Sequence, residues 1–171
     1  MRARSQVRQA NWIYALSNME YEEKLKQYIA GNNIKAEHLS FTRSCHSVAE
    51  AAEAAGVTPQ DFVKNICLIT ADGKLVVAIV KGEDKASTTK VGQILGIERP
   101  VPANPEQMLE MTGYPCGGTP SFGYEAIFLV DERALEKEIV YTGGGSENSL
   151  VKISPQELLK ASKGKVVKIR K

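Results

Sequence analysis

The sequence predicts an α+β fold, a mixed and strongly curved sheet with flanking helices. Three observations carry that prediction. Two β-branched apolar runs, Phe62–Thr70 and Leu75–Lys81, flank an Asp72-Gly73 turn, which is the pattern of a hairpin. Segments with helical spacing and capping residues alternate with such runs along the chain instead of being segregated from them. The 171 residues are 43 % apolar and 25 % charged, an ordinary globular balance that suits one domain with a buried core.

Each element has a local reason. Tyr21, Leu25, Tyr28 and Ile29 recur at helical spacing in Glu20–Ala30, with Gly31 as a stop. Ile34–Phe41 reads as a short strand. Ser47 caps an Ala-rich helix, Val48–Ala55, with Glu50 at the capping-box position and Gly56 as terminator. Thr58-Pro59-Gln60-Asp61 is a further helical turn ahead of the hairpin. Helices follow at Ser87–Leu95, closed by Gly96, and at Pro105–Met111. Ala126–Asp131, Ile139–Tyr141, Leu150–Ile153 and Lys165–Ile169 read as strands, and Ser154-Pro155 opens a helix between the last two. Residues 1–18 read as a loosely held basic leader, an over-extended start site or a presequence, with residues 19–171 as the single domain.

Several function classes are excluded or weakened. The longest apolar run, Leu75–Val80, has six residues, whereas a membrane helix needs about 20. Cys45, Cys67 and Cys116 form no C-x-x-C pair, and with two histidines they make no metal set. An odd cysteine count without a signal peptide points to reduced thiols in a cytoplasm. Neither glycine-rich segment gives a phosphate or dinucleotide motif, so no cofactor is implied. The net charge of +2 is an average: residues 1–18 hold Arg2, Arg4 and Arg8 with no acid, and residues 152–171 hold seven basic residues against Glu157 alone. That basic end is either a solvated terminus or a contact for a nucleic-acid backbone.

The candidate chemistry sits in loops and at one strand end. Gly113–Tyr124 (GYPCGGTPSFGY) holds four glycines and two prolines, more than a connection needs. Such a loop can bring main-chain N–H groups close to a ligand, as can Gly143–Ser149 (GGGSENS); each is otherwise a plain tight turn. Alternation along the first hairpin strand puts Val63, Asn65, Cys67 and Ile69 on one face and Lys64, Ile66 and Leu68 on the other. Lys64 is then either a solvated strand end or a fixed cation in a pocket. His46, just ahead of a helix cap, faces a ligand or makes a structural hydrogen bond, and His38 reads as structural or exposed. Cys45-His46 invites a thiol-hydrolase reading, but adjacent residues seldom face one another and no protease signature surrounds them.

Taken together, Ser47–Gly56 (SVAEAAEAAG), Phe62-Val63-Lys64-Asn65-Ile66, the Lys90–Gly96 helix, Thr112-Gly113-Tyr114 and Gly117-Gly118-Thr119-Pro120-Ser121-Phe122-Gly123 resemble the YbaK family. Its members are free-standing relatives of the editing domain inserted in bacterial prolyl-tRNA synthetases. The resemblance covers about residues 20–170. It implies an aminoacyl-tRNA deacylase acting in trans, typically on cysteinyl- or alanyl-tRNA for proline, with a synthetase as a further partner. A non-catalytic tRNA- or synthetase-binding module of the same fold is the alternative.

By that resemblance Lys64 falls on the family's functional lysine. Gly117, Gly118, Thr119, Pro120 and Ser121 fall on the loop lining the amino-acid pocket, and Gly143-Gly144 has a counterpart as well. His46 joins them as a substrate-binding candidate. Where the family often reads Gly-Gly-Val-Ser-Pro-Phe-Gly, this chain has Thr119-Pro120-Ser121. The exchange bears on substrate choice more than on reaction type. An aminoacyl ester is already activated, so its hydrolysis asks for a placed water, a stabilised oxyanion and a held adenosine, and for no metal.

Overall fold

The computed structural model describes residues 2–171, with side-chain surroundings from residue 6 onward. The strands expected in one curved sheet divide into two. Strand β1 (Ala36–Ser40) pairs with β7 (Ser149–Ile153), which pairs with β6 (Val140–Gly143), giving an antiparallel three-stranded sheet. The larger sheet has the order β4 (Val101–Pro102), β2 (Val63–Ile69), β3 (Leu75–Lys81), β5 (Ile127–Asp131) and β8 (Lys165–Val167). It is mixed: β2 is antiparallel to β3 and β4, while β3–β5 and β5–β8 are parallel. The two sheets touch at a bridge between Phe62 and Tyr141, whose ring centroids lie 5.4 Å apart.

Alternation along β3 explains how the core is divided. All seven of its residues are buried. Leu75, Val77 and Ile79 face the main core with Val63 and Cys67 of β2, whereas Val76, Ala78 and Val80 face a second cluster with Leu68 and Val91. A central strand sandwiched in this way must be apolar throughout, as its sequence is.

The helices end where their caps say. Helix α2 (Val48–Ala55) carries the Ser47–Glu50 capping box and stops at Gly56, φ 68°. Ser87 caps α3 (Thr88–Leu95), Asn104 caps α4 (Pro105–Thr112) and Ser154 caps α5 (Pro155–Ser162). Helix α1 departs from expectation, running unbroken over Arg2–Gly31, so the boundary placed at residue 18 falls inside it. No glycine or proline interrupts that span before Gly31. Leu25 and Ile29 anchor its second half in the core, while Val7, Trp12 and Ile13 are exposed. No helix among the described residues is long and apolar enough to cross a membrane.

The basic C-terminal segment is tied down at the sheet edge that β8 forms, on the far side of β3 and β5 from β2. Asp131, fully buried, accepts hydrogen bonds from the main-chain N–H of Ile169 at 2.8 Å and Arg170 at 3.1 Å, and from the Arg170 guanidinium at 3.0 Å. Burial alone would raise its carboxyl pKa. The N–H groups of Ile169, Arg133 and Arg170, with the guanidinium, outweigh that and hold it below the usual range. Replacing Asp131 by Asn is expected to cost about 3 kcal/mol in denaturant unfolding at neutral pH. A depressed folded-state pKa stabilises above the unfolded value of about 3.9. The gap between the two proteins is therefore full at pH 6 and closes as pH falls through the lower folded-state value.

Candidate active site

A cavity of about 260 Å³ opens where β2 meets β6 and the two glycine loops. Phe62, Val63, Lys64 and Asn65 all line it, at the start of β2. Strand β4 pairs with β2 only at Leu68 and Ile69 and β6 meets the same edge at the Phe62–Tyr141 bridge, so the stretch around Asn65 between them is left open. Cys67, on the edge side, accepts from Ala103 N–H at 2.9 Å, so by alternation the main-chain groups of Asn65 also point to the open stretch.

Lys64 is half-buried, and among the described residues its ammonium has neither a hydrogen bond nor an ion pair. Burial lowers its pKa, with Asp84 opposing and Lys85 adding to the shift. Lys64 is among the residues that line the cavity.

The glycine loops meet main chain to main chain. Gly145 N–H donates to Gly118 O at 2.8 Å. A Cβ on Gly143 would lie 2.2 Å from Thr119 O, and one on Gly118 would lie 2.7 Å from the main chain of Ser146. Glu22 of α1 braces the second loop by accepting from Ser146 Oγ at 2.6 Å. His38 braces it too, its Nε2–H donating to Gly144 O at 2.7 Å, which is a structural role.

Of the residues singled out from the sequence, Lys64, His46, Gly117, Thr119 and Gly143 line the one cavity. Gly118, Pro120, Ser121 and Gly144 do not, and stand behind its wall. Ser121 is fully buried; its hydroxyl donates to Asn65 Oδ1 and lies 2.7 Å from Thr142 Oγ1. Asn65 Nδ2 in turn donates to Thr119 O at 3.0 Å. Gly118 N–H is likewise occupied, donating to Pro115 O at 3.0 Å. Gly117 and Thr119 line the cavity, and among the described residues their N–H groups have no partner.

Sequence reasoning passed over Asn65, Thr142, Met108 and Cys116, which also line the cavity. The polar face of β2 at Asn65, between apolar Val63 and Cys67, was the one available signal. Cys45 lines the cavity but is buried, and burial pushes its thiol pKa up, with Glu50 adding and Arg43 opposing. Those are poor conditions for a thiolate nucleophile. A second hollow of about 500 Å³, beside Tyr28, Tyr124 and Lys163, contains neither Lys64 nor His46.

The family model described as the aminoacyl-tRNA editing domain matches residues 42–161, a stretch that contains every residue named above as lining the cavity. The chain belongs to that family. It is 27 % identical over 128 residues to the uncharacterised protein YwhH of Bacillus subtilis, covering 74 % of this chain and 81 % of that one. It is 33 % identical over 107 residues to the proline–tRNA ligase of Acidithiobacillus ferrooxidans, covering 61 % of this chain but 19 % of the ligase. Among solved structures, that of a hypothetical protein superposes with a TM-score of 0.80 at 27 % identity, over 86 % of this chain and 99 % of its own. Another, described as a trans-editing enzyme candidate for prolyl-tRNA synthetase, has a TM-score of 0.81 at 23 % identity, over 88 % and 97 % of the two chains.

The close approach of the loops generates a prediction. Gly143→Ala is expected to lower stability by about 1–3 kcal/mol by forcing the loops apart. Gly31→Ala, with nothing within 4 Å of the added atom, is expected to be near neutral. Thermal unfolding of both variants beside the parent checks the contrast.

Proposed function

We propose that the protein hydrolyses the ester of mischarged aminoacyl-tRNA in trans, releasing a small amino acid such as cysteine or alanine from the tRNA for proline. The observation that carries this reading is Lys64: a half-buried cation without a protein partner among the described residues, on the wall of a cavity otherwise made largely of apolar side chains and glycine main chain. That combination suits a small side chain attached to a polyanionic carrier. Membership of the editing-domain family and likeness to part of a proline–tRNA ligase support the same substrate class.

In this reading Lys64 holds the terminal ribose or phosphate, or offsets charge as the ester carbonyl is attacked. The unengaged N–H groups of Gly117 and Thr119 are the candidate oxyanion donors, where one donor is worth about 3–4 kcal/mol in comparable enzymes. Gly118, whose N–H is already committed, supports the loop instead. Such an enzyme answers a physical need, because a synthetase pocket separates side chains differing by one methylene by only about 1–3 kcal/mol.

Loss of the ester from a panel of mischarged tRNAs tests the reading. The wild type is expected to shorten the ester lifetime of at least one small amino acid. Lys64→Ala is expected to lower that rate at least tenfold with little change in Tm. Binding without hydrolysis by the wild type would instead identify a non-catalytic module, and full activity of Lys64→Ala would remove Lys64 from the mechanism. Because burial lowers the Lys64 pKa, the enzymatic rate above the uncatalysed background is expected to fall with rising pH before an ordinary lysine would titrate.

A further inference from the structure

Three groups from distant parts of the chain meet at the mouth of the cavity. His46 Nδ1 lies 3.2 Å from Glu147 Oε1. The other oxygen of that carboxylate accepts a hydrogen bond from Tyr14 Oη, so Glu147 is held from both sides. The His46 ring lies against Gly117, where a Cβ would stand 2.3 Å from Nδ1. A side chain at position 117 would therefore push the ring off its carboxylate.

A carboxylate this close to Nδ1 favours one tautomer of the ring. An ionised carboxylate repels the Nδ1 lone pair and attracts a proton there, which favours neutral His46 with its proton on Nδ1 and a lone pair on Nε2. Among the described residues Nε2 has no hydrogen-bond partner, and His46 lines the same cavity as Lys64, Gly117 and Thr119. A carboxylate orienting an imidazole whose far nitrogen is free is the arrangement by which histidine serves as a base.

We propose that His46 is the general base of the deacylation and that Glu147 is its positioning residue; this rests on the editing function proposed above. Nε2 takes a proton from a water molecule as its oxygen bonds to the ester carbonyl carbon. The bond between that carbon and the ribose oxygen then breaks, and the proton on Nε2 passes to the ribose oxygen. The products are the free amino acid and a tRNA with an intact terminal hydroxyl, and His46 returns to its starting state.

A protonated Nε2 cannot take a proton from water, so this role requires an acid limb in the rate. The charged or titratable groups around the ring are Glu147 from the loop after β6, Tyr14 from α1 and Glu50 from α2. Lys64, Cys45 and Cys116 line the same cavity. Glu147 is the one in contact with the ring, at 3.2 Å.

The test is the pH dependence of kcat for one mischarged tRNA that the wild type hydrolyses, with His46→Gln, His46→Ala and Glu147→Gln. His46→Gln is expected to lower kcat about 100-fold or more and abolish the acid limb, with KM within about twofold and Tm unchanged. Added imidazole is expected to restore part of the activity of His46→Ala. Glu147→Gln is expected to lower kcat less than His46→Gln does, with KM within about twofold. Wild-type kcat and an unchanged acid limb in His46→Gln would overturn the assignment of His46 while leaving the editing function standing. A wild type that hydrolyses none of the panel would overturn both.

Discussion

Gly145 N–H reaches Gly118 O at 2.8 Å, and two peptide segments can come that close only where no side chain stands between them. The cavity depends on this contact. It sets the first glycine loop against the second, so that Gly117 and Thr119 lie opposite the open edge of β2. Ser121, Asn65 and Thr142 then tie the first loop to β2 and β6 through a buried set of hydrogen bonds. Such a network is rigid because every unmade bond in it would leave a polar group stranded away from water. The site is thus built mostly from main chain, and its side chains add a cation and an imidazole to a prepared frame.

That construction suits the proposed chemistry. An aminoacyl ester needs little activation, so fixed donors and a placed charge contribute most of what hydrolysis requires. Lys64 keeps its ammonium half out of water at the open edge, where the attraction for a phosphate or developing oxyanion is screened less than on a free surface. Glu22 and His38 hold the second loop from outside the cavity, which links α1 and β1 to the geometry of residues that neither element touches directly.

Much of this was legible in the chain. The β2–β3 hairpin, the Ser47 and Ser154 caps and the Gly56 and Gly96 stops follow from local pattern, because turn and cap chemistry act over a few residues. The face assignment along β2 placed Val63 with Cys67 and Ile66 with Leu68, as the two core clusters have it. Two residues of β4 are too short a run to carry any pattern. The division into two sheets turns on the single bridge Phe62–Tyr141, between residues far apart in the chain. Helix α1 extends to Arg2 because nothing in residues 2–30 breaks a helix, although its first half has no apolar stripe against the core to reveal it. The site was half legible for the same reason. Lys64 and Gly117 stand out by residue type and local context, whereas the roles of Ser121 in supporting Asn65 and of Glu147 in facing His46 are made by long-range contact.

The central claim is that an aminoacyl-adenosine end occupies the cavity between the β2 edge and the glycine loops. Its most direct test is a backbone-amide NMR titration with a non-hydrolysable 3′-aminoacylamino-adenosine. The account predicts saturable shifts centred on His46, Val63, Asn65, Gly117, Thr119 and Gly143. Shifts centred instead on the hollow at Tyr28, Tyr124 and Lys163, or no saturable shift at all, would contradict it.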